Sequence, residues 1–225
     1  KVETLPIWPE FLDDRSLRDP SEALEQVRKE LRRQMFLVQR MCAASIELIP
    51  RFGEGRARDI RYIELVVDNL RRELNRYLMR ISRGGLTVDQ SRKLFAYSGI
   101  SDDIERIGNH AVYVVGLARE RHKGDIEFTR WAFAEVEEIA DLINRNMEDA
   151  VSLLDGINGE LISRIFSRED RVDRLVREAR KRHQERYLSC ICQPEAGPIY
   201  IEMLIRLERM SDHCENIAEY ARDMK

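Results

Sequence analysis

Residues that end helices or build β-sheets are scarce in this chain. It contains 11 glycines and 6 prolines among 225 residues, and aromatic side chains make up only 7%. Typical proteins contain about 7% glycine and about 5% proline. Because tight turns and strands depend on these residue types, their scarcity argues against a β-rich fold and against collagen. The 35% of charged residues fits long helices that have one solvated face.

The chain also lacks a strong charge of one sign and a long apolar run. It has 38 basic and 41 acidic residues, so its formal net charge is only −3. Nucleic-acid binding needs a basic field that this balance does not supply. The nearest approach to an apolar run, Val112–Ala118, is far shorter than the roughly 18 residues that span a bilayer. The sequence therefore predicts no nucleic-acid partner and no membrane-spanning helix within these residues.

Cysteine is too sparse and wrongly spaced for a redox or zinc motif. Cys190 and Cys192 form C-x-C rather than C-x-x-C. Cys42 and Cys214 lie within apolar helical patterns and are interpreted as small core residues. No signal peptide is recognisable, so a reducing, cytoplasmic location is expected.

Apolar residues recur every three or four positions in six segments, and this period predicts six long helices. Asp19, which precedes a proline, marks the start of the first helix, and Thr87 with Gln90 predicts a capping box at the third. We expect the fourth helix to start at Asp125, and the third to break near Ser98–Ser101. The segments are separated by Gly53 and Gly55, Gly84 and Gly85, Gly124, Gly156 and Gly159, and Pro194, Gly197 and Pro198.

The six predicted helices divide into two similar halves. The segment DDIERIGNHAVYVVGLA, from Asp102, matches IRLERMSDHCENIAEYA, from Ile205, at an offset of 103 positions. A second helix repeats at an offset of 105, which relates Glu64 to Glu169. Two helices that repeat at nearly one period imply duplication of a three-helix unit. The predicted organisation is an extended lead-in over 1–18, a first three-helix repeat over 19–124 and a second over 125–225.

Four of the predicted helices carry a glutamate followed four positions later by an aspartate or asparagine. Residues i and i+4 lie on one helix face, where two like charges repel each other. A cation removes this repulsion, and two such pairs on neighbouring helices offer about four hard oxygen ligands. The candidate metal ligands are Glu64 and Asp68, Glu105 and Asn109, Glu169 and Asp173, and Glu208 and Asp212.

A single pair of this kind is a weak signal. With 41 acidic residues in 225, about seven acidic i, i+4 pairs are expected by chance. Glu137 and Asp141 form such a pair and have no repeat partner. Recurrence on corresponding helices of both halves is what favours a site. His110 and His213 stand beside the motif, and for both of them local packing is favoured over metal ligation.

No catalytic motif is present in the sequence. A ferritin-like di-iron site needs Glu-x-x-His, and no histidine here has a glutamate three positions before it. HExxH, a nucleophile elbow and a glycine-rich phosphate loop are also absent. The chain is therefore not expected to be an enzyme, and a di-metal oxidase or hydrolase is disfavoured.

The segments DIERIGNHA and LERMSDHCENIAEY, with the two preceding Glu-x-x-x-Asp helices, resemble the PhoU family of phosphate-signalling proteins. The resemblance covers about residues 20–225. It implies an all-α fold of six long helices in two tandem three-helix bundles, and surface metal clusters, commonly of iron, held by the Glu-x-x-x-Asp motifs. Manganese, magnesium, calcium and zinc remain open. Asn109 stands where the family usually has aspartate, so weaker metal binding is expected in the first half.

The lead-in FLDDRSLRDPSEALEQVRKEL resembles the junction that precedes the C-terminal PhoU-like domain of bacterial sodium–phosphate cotransporters. This implies that the chain is the cytoplasmic part of such a transporter, tethered to the inner face of the membrane. Its expected partner is the transporter's own membrane domain or a phosphate-signalling protein, with a homodimer left open. The alternative function is a metal-free helical module that docks or dimerises through its helix faces.

Overall fold

The computed structural model describes residues 5–224, and over these residues the chain is all-helical, as predicted. A short 3-10 helix, Asp14–Arg18, precedes six long α-helices. These are α1 (Pro20–Glu47), α2 (Glu54–Ile81), α3 (Val88–Lys123), α4 (Arg130–Asp155), α5 (Gly159–Leu188) and α6 (Ala196–Asp223).

Two of the three predicted helix starts are confirmed. The Asp19 side chain caps α1 by accepting from the backbone N–H of Ser21, and Thr87 and Gln90 form the reciprocal capping box of α3. The predicted start of the fourth helix at Asp125 is wrong. Asp125 has a left-handed φ of 50°, which cannot continue into a helix, and α4 begins at Arg130 after a different cap.

The predicted break in the third helix is also wrong. Helix α3 runs without interruption through Ser98–Ser101. The fully buried Ile100 and Ile104 continue its apolar stripe across this region, so core packing outweighs the poor helix propensity of the serines and of Gly99.

The two three-helix bundles share one continuous apolar core. Helices α1, α2 and α3 contact one another, and so do α4, α5 and α6. The most extensive contact joins α3 to α6, and α1 also packs against α4. The two halves therefore pack against each other through the α3–α6 and α1–α4 contacts. No helix in the described part of the chain combines the length and hydrophobicity that crossing a membrane requires.

The duplication extends to the third pair of helices, α1 and α4. The buried residues Leu31 and Val38 of α1 correspond to the buried residues Val136 and Ile143 of α4. Each pair is 105 positions apart, the same offset that relates α2 to α5. A position in α1 or α2 can therefore be compared directly with its counterpart in α4 or α5.

The predicted extended lead-in is partly helical, because residues 14–18 form the 3-10 helix, while residues 1–4 lie outside the described part of the chain. Residues 5–13, here called the lead-in segment, lie across α1 and α2. The fully buried carboxylate of Glu30 accepts hydrogen bonds from the backbone N–H groups of Glu10 (3.0 Å) and Phe11 (3.1 Å). On α2, the Tyr77 hydroxyl donates to the carbonyl of Asp13 at 2.7 Å. Side chains of α1 and α2 thus supply the backbone hydrogen-bond partners that a neighbouring strand would give an extended segment.

Candidate metal centres

Three candidate ligands of the second half come together between α5 and α6. Glu169 and Asp173 extend from α5 and Asp212 from α6, and one carboxylate oxygen of each lies within 4.8 Å of the others. Within residues 5–224, no other group of three acidic, histidine or cysteine side chains meets this spacing. We call these three residues the second-half cluster.

Helix periodicity places the cluster at the border of the core. Glu169 and Asp173 are four positions apart on α5 and share one face. The neighbouring Val172 and Val176 are fully buried, so this face lies against the core. Glu169 is only 8% exposed, whereas Asp173 and Asp212 are half-buried. The cluster is therefore partly desolvated, which strengthens the repulsion between its charges.

The electrostatics of the cluster would favour a bound cation. Burial, followed by the charges of Asp173, Glu215 and Asp212, raises the pKa of Glu169 to about 8. A glutamate with such a pKa keeps at neutral pH a proton that a bound metal ion displaces. The donor set consists of hard carboxylate oxygens, which suit iron, manganese, magnesium and calcium. These residues therefore fit a metal ion in charge and in donor type.

Glu208, the fourth ligand predicted for this half, faces a competing cation at the edge of the cluster. Its Oε2 accepts a hydrogen bond from Nη2 of Arg180 at 3.4 Å. Burial raises the pKa of Glu208, and Arg180 opposes this shift. Asp212 likewise accepts from Arg209 at 2.9 Å. Glu208 thus lies outside the 4.8 Å group, held by a long and weak contact.

Glu215 is a further carboxylate at this site that the i, i+4 pattern misses. Burial raises its pKa, and Glu219 and Asp212 add to the shift. Glu215 follows Asp212 by three positions, so the two lie on the same face of α6. The i, i+3 spacing after Asp212 is the sequence signal that identifies it.

The first half gathers its four predicted residues around a small crevice between α2 and α3. Glu64, Asp68, Glu105 and Asn109 line this crevice together with apolar side chains. Burial raises the pKa of Glu64, and the charges of Asp68 and Glu105 add to the shift. Among the residues that the structure describes, these three carboxylates do not converge to the 4.8 Å spacing of the second half.

Two polar contacts engage carboxylates of the first half. The Asn109 amide donates from Nδ2 to Oε1 of Glu105 at 3.0 Å. Asp68 forms an ion pair with Arg72, one turn further along α2. Each contact gives a carboxylate a partner inside the protein, so fewer oxygen lone pairs face the crevice.

The two histidines beside the motifs pack between α3 and α6. Their rings stack with centroids 5.4 Å apart. Nδ1 of His213 lies 2.7 Å from Oδ1 of the buried Asp103, which also accepts from Asn216 at 3.1 Å. Burial lowers the pKa of His110 to about 4. These contacts support the packing role that the sequence favours for both histidines.

The chain matches one known protein family in two segments. The model of the PhoU domain family matches residues 31–118 and 136–221. The chain is 24% identical over 204 residues to the phosphate-specific transport system accessory protein PhoU homolog 1 of Thermotoga maritima. This alignment covers 87% of the present chain and 84% of the relative.

Two solved structures share the fold. PhoU from Pseudomonas aeruginosa superimposes with a TM-score of 0.82 at 24% identity, covering 89% of this chain and 96% of that one. The phosphate transport system regulatory protein PhoU from Streptococcus pneumoniae gives a TM-score of 0.79 at 14% identity, covering 92% and 96%. At these identities the likeness establishes the six-helix architecture.

Proposed function

We propose that this chain, which belongs to the PhoU family, regulates phosphate transport and binds a metal ion in doing so. The name of the Thermotoga relative, an accessory protein of a phosphate-specific transport system, supports the regulatory role. The second-half cluster supports the metal, because three carboxylates lie within 4.8 Å of one another and repel. We assign the chain no catalytic step.

The metal is proposed to be iron or another cation that prefers oxygen ligands, such as manganese, magnesium or calcium. In the second half, Glu169, Asp173 and Asp212 would hold it, with Glu208 and Glu215 completing the set. In the first half the ligands would be Glu64, Asp68, Glu105 and Asn109, at lower affinity. A bound cation supplies positive charge that offsets the repulsion within each site.

We further propose that the chain works at the cytoplasmic face of a membrane, as part of a sodium-dependent phosphate transporter. The likeness of the lead-in to a transporter junction motivates this step. The lead-in segment docks on α1 and α2, so a membrane domain joined through it would lie beside the first half. The regulated contact is then between the helical bundle and that membrane domain or a phosphate-signalling protein.

The alternative function is a helical docking module that works without metal. Metal content separates the two functions. We would purify the protein without a chelating tag and measure its metals by mass spectrometry, for the wild type and for Glu169→Gln/Asp212→Asn. The matched control is Glu137→Gln/Asp141→Asn, which alters an acidic i, i+4 pair outside both sites.

We expect tightly bound iron or manganese in the wild type and in the control, and at least a tenfold lower content in the cluster variant. Equal metal content in all three proteins would show that the metal binds outside the second-half cluster. A wild type without metal after reconstitution would favour the docking module. Circular dichroism of each variant separates loss of ligands from loss of fold.

A further inference from the structure

A groove lies between α4 and α5, away from both candidate metal centres. We call it the second groove, because a site in the first half is its counterpart. It has a volume of about 580 Å³. Its apolar wall is formed by Trp131 and Ala134 of α4 and by Ile191, which follows α5. Its charged wall is formed by Glu135, Glu138, Arg182, Glu185 and Arg186. Trp131 and Ile191 are 48% and 52% exposed, so both offer apolar surface to a ligand in the groove.

This groove is the repeat counterpart of the site that holds the lead-in segment. At the offset of 105, Trp131, Glu135 and Glu138 correspond to Gln26, Glu30 and Arg33 of α1. Arg182 and Glu185 correspond to Tyr77 and Arg80 of α2. All five counterparts bind the lead-in segment or Asp14, which directly follows it. The groove therefore occupies, in the second half, the place that the lead-in segment fills in the first half.

The charges of the second groove are reversed at two positions. In the first half, Arg33 pairs with Glu10 at 3.4 Å and Arg80 pairs with Asp14 at 2.5 Å. Their counterparts, Glu138 and Glu185, are acidic. An acidic segment such as the lead-in would be repelled there, whereas a segment with basic side chains at the same two places would be attracted.

Local contacts leave these acidic positions available. Glu138 is paired with Arg171 at 2.9 Å, but both side chains are about half exposed, so this pair is weak and exchangeable. Glu185 forms no ion pair within residues 5–224. Glu135 differs, since it accepts from Arg186 at 2.8 Å and from the buried Tyr200. Because its partners already engage Glu135, this carboxylate is not free to accept backbone N–H groups as Glu30 does, and the second groove offers charge and apolar surface instead.

We propose that the groove between α4 and α5 binds an extended peptide of a partner protein, with basic residues at positions i and i+4 and a bulky apolar residue between them. The spacing is that of Glu10 and Asp14, whose intervening Leu12 packs against the core. The apolar residue contacts Trp131 and Ile191, and the basic residues pair with Glu138 and Glu185. This site does not depend on a metal in either centre.

The test uses the intrinsic fluorescence of Trp131. Trp8→Phe leaves Trp131 as the single tryptophan of the chain. The probe is a nine-residue peptide of residues 6–14 with Trp8→Phe, Glu10→Arg and Asp14→Arg. We expect a saturable change in Trp131 emission, with at least tenfold tighter binding than for the same peptide with its native Glu10 and Asp14.

Two protein variants complete the test. In Glu138→Arg/Glu185→Arg the preference should invert, so that the acidic peptide binds at least tenfold more tightly than the basic one. The control Glu137→Arg/Glu148→Arg makes the same change of charge on exposed positions of α4 outside the groove, and should keep the preference of the wild type.

Several results would overturn the proposal. One is equal binding of the basic and the acidic peptide. Another is no saturable change in Trp131 emission with a folded protein. A third is a preference for the basic peptide that persists in Glu138→Arg/Glu185→Arg. Self-association that the same variant abolishes, measured by sedimentation, would assign the groove to a second copy of the chain. A response of Trp131 to anionic vesicles with no response to the peptide would assign it to a lipid surface.

Discussion

The amide nitrogen of Asn109 lies 3.0 Å from Oε1 of Glu105, one helical turn away on α3. In the other half the corresponding positions hold Asp212 and Glu208, two carboxylates that repel each other. The first half thus replaces one carboxylate by an amide donor, whereas the second half keeps both carboxylates, which Arg180 and Arg209 contact. The two halves share a motif but differ in the negative charge that they bring together.

Asn109→Asp should raise the metal affinity of the first half. The change removes the donor to Glu105 and adds a fourth carboxylate, so the affinity should rise about tenfold or more. Calorimetric titration would measure it in a Glu169→Gln/Asp212→Asn background, where the second-half cluster is disabled. Asn144→Asp, on α4 outside both centres, is the control and should change nothing. An unchanged titration in Asn109→Asp would show that the first crevice is not a metal site.

The metal-depleted protein should lose stability as the pH rises. The pKa of Glu169 is raised from about 4.5 to about 8 on folding. Its contribution to stability is therefore fully present below about pH 4.5 and is lost as the pH passes through about 8. Urea denaturation in chelator at pH 5 and pH 9 would measure this loss.

Glu169→Gln removes the ionisation and should abolish that part of the pH dependence. At pH 9 the variant should be more stable than the wild type. Glu178→Gln, an exposed change on the same helix, should keep the slope of the wild type. Parallel pH profiles for the wild type and Glu169→Gln would contradict the assignment.

His213→Ala should weaken the contact between α3 and α6. Asp103 is 7% exposed and would keep only Asn216 as a partner. A buried carboxylate that loses a partner costs about 1–3 kcal/mol. The loss should appear as a lower midpoint of urea denaturation, and His122→Ala, an exposed change on α3, should cost much less. A double-mutant cycle with Asp103→Ala should show coupling, and additive effects would refute it.

Two glycines of α3 differ in the space that an added Cβ atom would find. A Cβ atom on Gly99 would overlap the ring of Tyr220 on α6, whereas one on Gly116 would meet open space. Gly99→Ala should therefore destabilise the protein by about 1–3 kcal/mol, through overpacking. Gly116→Ala should stabilise it by about 0.5–1 kcal/mol, through helix propensity. Thermal unfolding of both variants would test the pair, and the same sign for both would contradict it.

Local periodicity predicted the helices well, because a core stripe and its caps are recorded in neighbouring residues. Thr87 and Gln90 are such a signal. The predicted helix start at Asp125 was wrong, since an acidic residue after glycine is typical of a helix start but here adopts a left-handed turn. The predicted break at Ser98–Ser101 was also wrong, because the buried Ile100 stabilises the helix through contacts distant in sequence.

The spacing of the candidate ligands proposed residues for a site, but it could not give the geometry in which they meet. Spacing places Glu169 and Asp173 on one face, but it cannot show that Asp212 approaches them, nor that Arg180 occupies the edge beside Glu208. These relationships depend on how α5 packs against α6. The docking of the lead-in on Glu30 was likewise invisible, since its partners are 19 and 20 positions away.

The contact between α3 and α6 has the form of a contact between two copies of one unit. Asp103 accepts from Asn216 at 3.1 Å. The counterparts of these two residues at the offset of 103 are Arg206 and Tyr113, and they also meet, with the guanidinium 3.8 Å from the ring centroid. Such reciprocity is the mark of an isologous interface, where residue i contacts j and j contacts i.

His110 and His213, which are counterparts of each other, stack on the pseudo-twofold axis of this interface. The two repeats thus meet in the manner of a homodimer within one chain, and residues 124–129 join the first repeat to the second. The tether turns a second-order association into an intramolecular one, with an effective concentration in the millimolar range. The association of the two repeats therefore does not depend on protein concentration, unlike that of an untethered pair of repeats.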